Sequence, residues 1–257
     1  MKRSQESSRT QWFEDESLWI DTYDFMFPPS RIAAAEEEVE PLLRLVGGEP
    51  QAVLDLCCGP GRFAVPLARR GLHVTGVDRT AFFLAKAQER AAAEDVQVEW
   101  VHDDMRTFVR PGAFDLALSM FTSFGYFDDK TEDATVLRNI HTSLRPGGVL
   151  VMDVVGKELL ARDFEPTRSR KHQDGTVVID RREVYDDWTR VRMEWTIIKG
   201  DAVRVFTIDH TVYSGQELKD RFIAAGFRDV RLYGSMDGSA YDREAERLIA
   251  VGRKPAP

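Results

Sequence analysis

Between Ala52 and Val155 short apolar runs alternate with amphipathic stretches. The runs Ala52–Cys57, His73–Val77, Val96–Val101, Phe114–Met120 and Val149–Val155 are rich in Val, Leu and Ile and predict buried strands. The stretches between them over Gly61–Arg70, Ala81–Ala93 and Asp133–Leu144 predict helices, and Pro146-Gly147-Gly148 predicts a turn. Apolar strands separated by helices imply a parallel sheet covered on both faces. After Gly156 the pattern changes. Thr176–Tyr185, Thr189–Lys199 and Ala202–Tyr213 predict an antiparallel meander turning at Asp186-Asp187-Trp188 and Gly200-Asp201. Ser214 is placed to cap a helix over Gly215–Ala225 stopped by Gly226, and Phe227–Tyr233 and Arg247–Lys254 close as strands. Upstream, residues 12–27 are dense in aromatics, Pro28-Pro29 breaks them, and a helix capped by Ser30 is expected through Val46, ended by Gly47-Gly48.

The expected fold is therefore α/β: seven strands, mostly parallel, with helices on both faces and an antiparallel β insertion after the fifth strand. Its parts are an N-terminal aromatic and helical cap (1–46), a core (47–156 and 214–257) and the insertion (157–213), all in one structural domain.

Composition narrows the class. Hydrophobic residues are 43% of the 257, which excludes wholesale disorder. A net charge of −8 disfavours nucleic acid and anionic membranes as partners, although Arg168, Arg170, Lys171 and His172 form a local basic patch. No apolar run is long enough to span a bilayer, and Met1–Gln11 is polar without the apolar stretch of a secretory leader, so a cytoplasmic location is expected. The two cysteines, Cys57 and Cys58, are adjacent, which suits neither a disulfide nor a zinc pair, and they are expected to be small core residues. No His and carboxylate cluster has ligand spacing, so no metal is expected.

The informative stretch is Val53-Leu-Asp55-Leu-Cys-Cys-Gly59-Pro60-Gly61-Arg62-Phe63, a strand feeding a glycine turn that opens a helix. Glycine lets the chain bend tightly and lets a ligand approach the backbone, and the helix start offers free N–H groups. Asp78 follows Gly61 by seventeen residues at the end of the second strand, with Arg79 beside it. A carboxylate there can accept both hydroxyls of a ribose, or simply cap the next helix. Asp103 and Asp104, past the third strand, are placed to accept from an adenine amine or to form a solvated turn. These positions share the carboxyl ends of neighbouring strands, where open α/β sheets bind ligands. A nucleoside-containing ligand is the common reading.

Asp55-Leu-Cys-Cys-Gly59-Pro60-Gly61 resembles the first motif of the class I S-adenosylmethionine-dependent methyltransferases. Val74-Thr-Gly-Val-Asp78 is similar to their acidic second motif, and Val98-Glu-Trp-Val-His-Asp-Asp104-Met105 to their adenine-contacting segment. Phe114-Asp-Leu-Ala-Leu, Leu144-Arg-Pro-Gly-Gly and Tyr213-Ser-Gly-Gln-Glu-Leu extend the likeness over about 50–255. The resemblance implies a Rossmann-like core and S-adenosyl-L-methionine as cofactor. It implies Asp55 and Gly59 near the methionine amino end, Gly61 near the ribose, and Asp78 on the ribose. It further implies Asp104 on the adenine amine with Met105 beside the ring, and Met120 facing the methionine tail. Many relatives carry glycine where Asp103 stands, so either acid of the pair remains a candidate. Tyr23 and Arg31 are the candidates for the methionine carboxylate.

The expected reaction is in-line methyl transfer to a small-molecule N, O or C nucleophile, where alignment and exclusion of water matter more than a dedicated catalytic group. Tyr126 and His210 are the candidate bases. The cap and the meander are expected to close over the cofactor as a lid. Gly59-x-Gly61-x-x-Ala64 with Asp78 also fits a nicotinamide dinucleotide fingerprint, but Asp55 inside the strand motif suits a methyltransferase better. A catalytically silent cofactor-binding scaffold is the remaining alternative. Oligomeric state and acceptor are not legible.

Overall fold

The protein is described over residues 11–256 by a computed structural model. The expectations for Met1–Thr10 lie outside the described residues. Five strands come first: β1 (Ala52–Leu56), β2 (His73–Asp78), β3 (Glu99–His102), β4 (Phe114–Ser119) and β5 (Leu144–Val154). Next come β6 (Thr167–Lys171), β7 (Val177–Tyr185), β8 (Arg190–Lys199) and β9 (Ala202–Thr211), and then β10 (Arg228–Tyr233) and β11 (Leu248–Arg253). The order β10-β11-β5-β4-β1-β2-β3 makes a seven-stranded sheet, parallel except that β11 runs antiparallel to both neighbours. β6 to β9 form a separate antiparallel sheet.

Strand alternation sorts side chains to the two faces of the large sheet. Val53, Leu116, Leu118 and Val151 pack with Val39 and Leu42 of α2 (Pro29–Val46) and Leu67 of α3 (Ala64–Arg69). Leu54, Leu56, Leu150 and Met152 face the other way, toward α4 (Ala81–Ala93), α5 (Lys130–Ser143) and α7 (Gly215–Ala224). The same cluster continues into Phe206 and Ile208 of β9, so the small sheet shares a core with the large one.

Several boundaries shift for local reasons. Helix α2 begins at Pro29 rather than after Ser30, since proline's fixed φ and missing N–H suit the first helical position. Gly61, at φ +74, cannot be helical, so α3 starts at Ala64. Val96 closes the turn after the preceding helix, its N–H bonded to the Ala91 carbonyl, and β3 starts only at Glu99. Helix α5 opens at Lys130, capped by Asp129 onto Thr131, while Asp133 is buried and accepts from the Tyr213 hydroxyl at 2.5 Å. The Pro146–Gly148 segment lies within β5, which begins at Leu144, and there the register with β4 shifts between Phe114↔Leu144 and Leu116↔Val149.

Two elements escape the sequence pattern: α6 (Lys157–Arg162) and the edge strand β6, Thr-Arg-Ser-Arg-Lys, which has no apolar face. The aromatic segment forms a 3-10 turn over Trp12–Glu14 and helix α1 (Glu16–Met26), capped by Asp15 onto Ser17. It touches both sheets' layers. The Trp12 indole donates to the Asp209 carbonyl of β9 at 2.9 Å, and Tyr23 packs edge-on against Phe82 of α4. No helix among the described residues is long and apolar enough to cross a membrane.

Candidate active site

Strand order reverses between β1 and β4, which opens a crevice at the carboxyl ends of the parallel strands. A cavity with about 880 Å³ of unfilled space lies there. Its floor comes from Asp55, Cys57 and Gly59 after β1, Asp78 and Arg79 after β2, and Asp103–Met105 after β3. Met120 and Phe121 close it from β4. Phe13, Trp19, Met26 and Phe27 of the aromatic segment roof it.

Most of the predicted cofactor contacts meet here, each already held. Asp78 is 7% exposed; its Oδ2 accepts from Gly59 N and its Oδ1 from Thr80 N, both at 2.8 Å. It therefore shapes the glycine turn and the start of α4 together. Asp55 Oδ2 accepts from Ala64 N at 3.1 Å at the start of α3. Gly59 holds φ +54, and a Cβ there would meet Phe27 Cζ at 3.7 Å, an ordinary van der Waals contact, so the positive φ is what calls for glycine. Met105 packs its sulfur on Cys57 Sγ at 3.6 Å. Asp104 is gripped by Arg106, with Nε to Oδ1 at 3.0 Å and Nη2 to Oδ2 at 2.7 Å. Asp103 spends only Oδ1, on Asp104 N and Thr107 Oγ1.

Four predicted residues do not reach this wall. The side of Gly61 is filled by Trp100, Ala87 and Val65, so its lack of a Cβ serves packing. Pro60 turns its carbonyl to Arg90 at 2.9 Å. Tyr23 packs among Phe27, Phe82 and Phe83. Arg31 lines a neighbouring cavity, its Nη1 on the Met26 carbonyl at 2.6 Å.

The residue that sequence reasoning missed is Arg62. It is 5% exposed, lines the first cavity and lies over the Phe121 ring at 4.7 Å. Its Nε and Nη1 have no hydrogen-bond partner among the described residues. Burial lowers its pKa to about 10. Across the cavity, burial pushes Asp55 up to about 7 and raises Asp78 despite its backbone bonds. A guanidinium without a partner facing buried carboxylates suits a ligand that carries both a carboxylate and an amine. The signal was a charged residue directly inside the glycine turn. Phe121 and Thr122 both hold positive φ, +62 and +59, a costly arrangement next to the cavity.

A second, partly open cavity adjoins the first and shares Trp19, Met26, Phe121 and Tyr126 with it. Its other side is the inner face of the small sheet. Tyr126 stands between the cavities, its ring tilted by 55° against Trp12 with centroids 4.6 Å apart and edge-on to His210 at 5.0 Å. Burial raises the Tyr126 pKa, so its phenol stays protonated. His210, on β9, is 7% exposed with Nδ1 unpartnered, and burial lowers its pKa to about 4.

The His210 shift has a pH signature. The unfolded histidine protonates near 6.5 and the folded one near 4, so the unfolded state binds more protons in that window. Stability is then lost as pH falls through it, by roughly 2 kcal/mol between pH 7 and pH 5. Urea unfolding at the two pH values is expected to show a smaller difference for His210→Phe than for the parent.

The sequence profile described as a methyltransferase domain matches residues 53–148. A putative methyltransferase of Geobacillus sp. (strain WCH70) is 25% identical over 256 residues, covering 94% of this chain and 99% of that one. The dTDP-3-amino-3,4,6-trideoxy-alpha-D-glucopyranose N,N-dimethyltransferase of Streptomyces venezuelae is 25% identical over 225 residues, covering 85% and 93%. Among solved structures, an S-adenosylmethionine-dependent methyltransferase from Clostridium acetobutylicum ATCC 824 superposes with a TM-score of 0.76 over 93% of this chain and 97% of that one, at 13% identity, a likeness of fold. Motifs, matched relatives and fold agree in supporting a class I S-adenosylmethionine-dependent methyltransferase that uses S-adenosylmethionine as its cofactor.

Proposed function

We propose that the first cavity holds the cofactor and that the methyl group passes directly, in line, to a small-molecule nucleophile in the second. The observation that carries this reading is the wall common to both cavities. A concave chamber lined by Trp12, Phe25 and Trp195 suits a small acceptor better than a polymer. The name of the Streptomyces venezuelae relative specifies an amino sugar attached to a nucleotide, which supports a small acceptor and favours nitrogen among the possible nucleophiles.

The donors present fit the cofactor. Asp78 would accept from the ribose hydroxyls, Asp55 and Gly59 would meet the methionine amino end, and Arg62 its carboxylate; all four line the first cavity. Asp103 has the freer oxygen for the adenine amine, because Arg106 occupies both oxygens of Asp104. Met105 would flank the adenine ring and Met120 the methionine tail, both lining the first cavity. The bound cofactor supplies a methyl group already activated as a sulfonium. The chain's residues orient the partners and keep water out, work worth on the order of 7–11 kcal/mol. Tyr126, held protonated, donates rather than accepts. His210, neutral at pH 7, takes the proton that the acceptor loses.

A labelled-methyl screen over small amines, phenols and carboxylates, read by mass spectrometry beside a peptide and an oligonucleotide pool, tests the reading. Label is expected in small molecules. Label recovered only in a polymer would reject it.

A further inference from the structure

The inner face of the small sheet is not an ordinary packing surface. The registers Arg168↔Asp180 and Asp180↔Trp195 set a charged and polar row across β6, β7 and β8, facing the second cavity. A face that only covered a core would be apolar there. Four arginines, Arg31, Arg168, Arg170 and Arg182, line this cavity against one carboxylate, Asp180, in a chain of net charge −8.

Two of the four are committed. Arg182 Nε donates to Asp180 Oδ2 at 2.6 Å, and Arg168 pairs with Glu165 at 2.8 Å. Arg31 and Arg170 pair with no carboxylate among the described residues. Burial and the nearness of Arg170 and Arg247 lower the Arg31 pKa, a sign of positive charge lacking its counter-ion. Further along the wall, Asp180 Oδ1, Trp195 Nε1 and His210 Nδ1 are buried without hydrogen-bond partners among the described residues. Asp180 is 9% and His210 7% exposed. Buried polar groups are normally satisfied, so three unmet ones on one cavity wall mark a place that a ligand completes.

We infer that the methyl acceptor is an anion. Its carboxylate or phosphate lies between Arg31 and Arg170, and its nucleophilic end, bearing hydrogen-bonding groups, lies against Asp180, Trp195 and His210, next to Tyr126. Guanidinium forks match both anions in planar, bidentate fashion. The cationic lining also draws such a molecule into a protein that otherwise repels it. This inference rests on the small-molecule reading above and specifies its substrate class.

The test uses the full chain saturated with S-adenosylhomocysteine and titrated, at fixed ionic strength, with inorganic pyrophosphate and separately with malonate. Binding is followed by tryptophan fluorescence, since Trp12 and Trp195 line the cavity. Saturable binding of at least one anion is expected, weakened about tenfold or more by Arg170→Gln and by Arg31→Gln. Arg204→Gln is expected to bind like the parent, because Arg204 pairs with Asp21 away from the cavity. Tighter pyrophosphate binding points to a phosphate ester, tighter malonate binding to a carboxylate. No saturation with either anion, or equal affinity in Arg170→Gln and Arg204→Gln, overturns the inference. Binding is read here without turnover, so that failure leaves small-molecule transfer standing; only the labelled-methyl screen can remove it.

Discussion

Arg190→Met is expected to lower stability by about 3 kcal/mol, a drop in Tm of roughly 6–12 °C. Arg190 is 7% exposed, at the start of β8. It donates to Asp209 Oδ1 through Nε at 2.9 Å and Nη2 at 2.6 Å, and to the Phe127 carbonyl at 2.9 Å. Those bonds hold the small sheet to the loop after β4. Methionine fills the space but removes the bidentate donor to the Asp209 charge and one of the two donors to the Phe127 oxygen, which retains the Thr211 hydroxyl at 3.2 Å, and it is this loss that costs. Asp209 keeps the Tyr185 hydroxyl and the Arg192 guanidinium, whose Nε lies 3.2 Å from Oδ2, and remains partly solvated, which places the loss at the low end for a broken buried pair. Calorimetry measures the drop. Adding Asp209→Asn to Arg190→Met is expected to recover part of it, because the less compensated charge is gone. A Tm within 2 °C or so of the parent for Arg190→Met would show that the network is ornamental.

Asp78→Ala is expected to weaken S-adenosylhomocysteine binding by ~1.5–3 kcal/mol, about 10–150-fold in Kd. Part of this is the loss of a charged acceptor for the ribose. The remainder is indirect, because Gly59 N and Thr80 N lose their shared partner and the turn that shapes the cavity loosens. Asp78→Asn retains an acceptor oxygen and is expected to fall between the alanine variant and the parent. Isothermal titration gives the affinities, and circular dichroism reports whether each variant is folded. An unchanged Kd in a folded alanine variant removes Asp78 from the site.

What could be read in advance follows the range of the forces involved. The glycine turn, Asp55 and Asp78 are legible because strand, turn and helix follow one another directly and their chemistry is local. The charged edge strand β6 hid because neither face carries apolar residues, though its arginines were visible as a basic patch. Arg62 stood inside the motif, yet a glycine turn suggests contacts through backbone N–H groups, and its buried side chain depends on Phe121 arriving from β4. Arg31 and Tyr23 were placed by likeness of segment, while helix phase decided which cavity, if either, each one faced. Asp180 and Trp195 belong together only through the register of β7 with β8, and face the cavity only through the docking of one sheet on another. No local pattern encodes that docking.

Because Trp19, Met26, Phe121 and Tyr126 border both chambers, substitutions there are expected to disturb two affinities at once. Asp180, Trp195 and Ile208 border the second chamber and not the first. On the proposed assignment of donor and acceptor to the two chambers, a mutant library meant to retarget the enzyme while sparing its methyl donor belongs on those three positions.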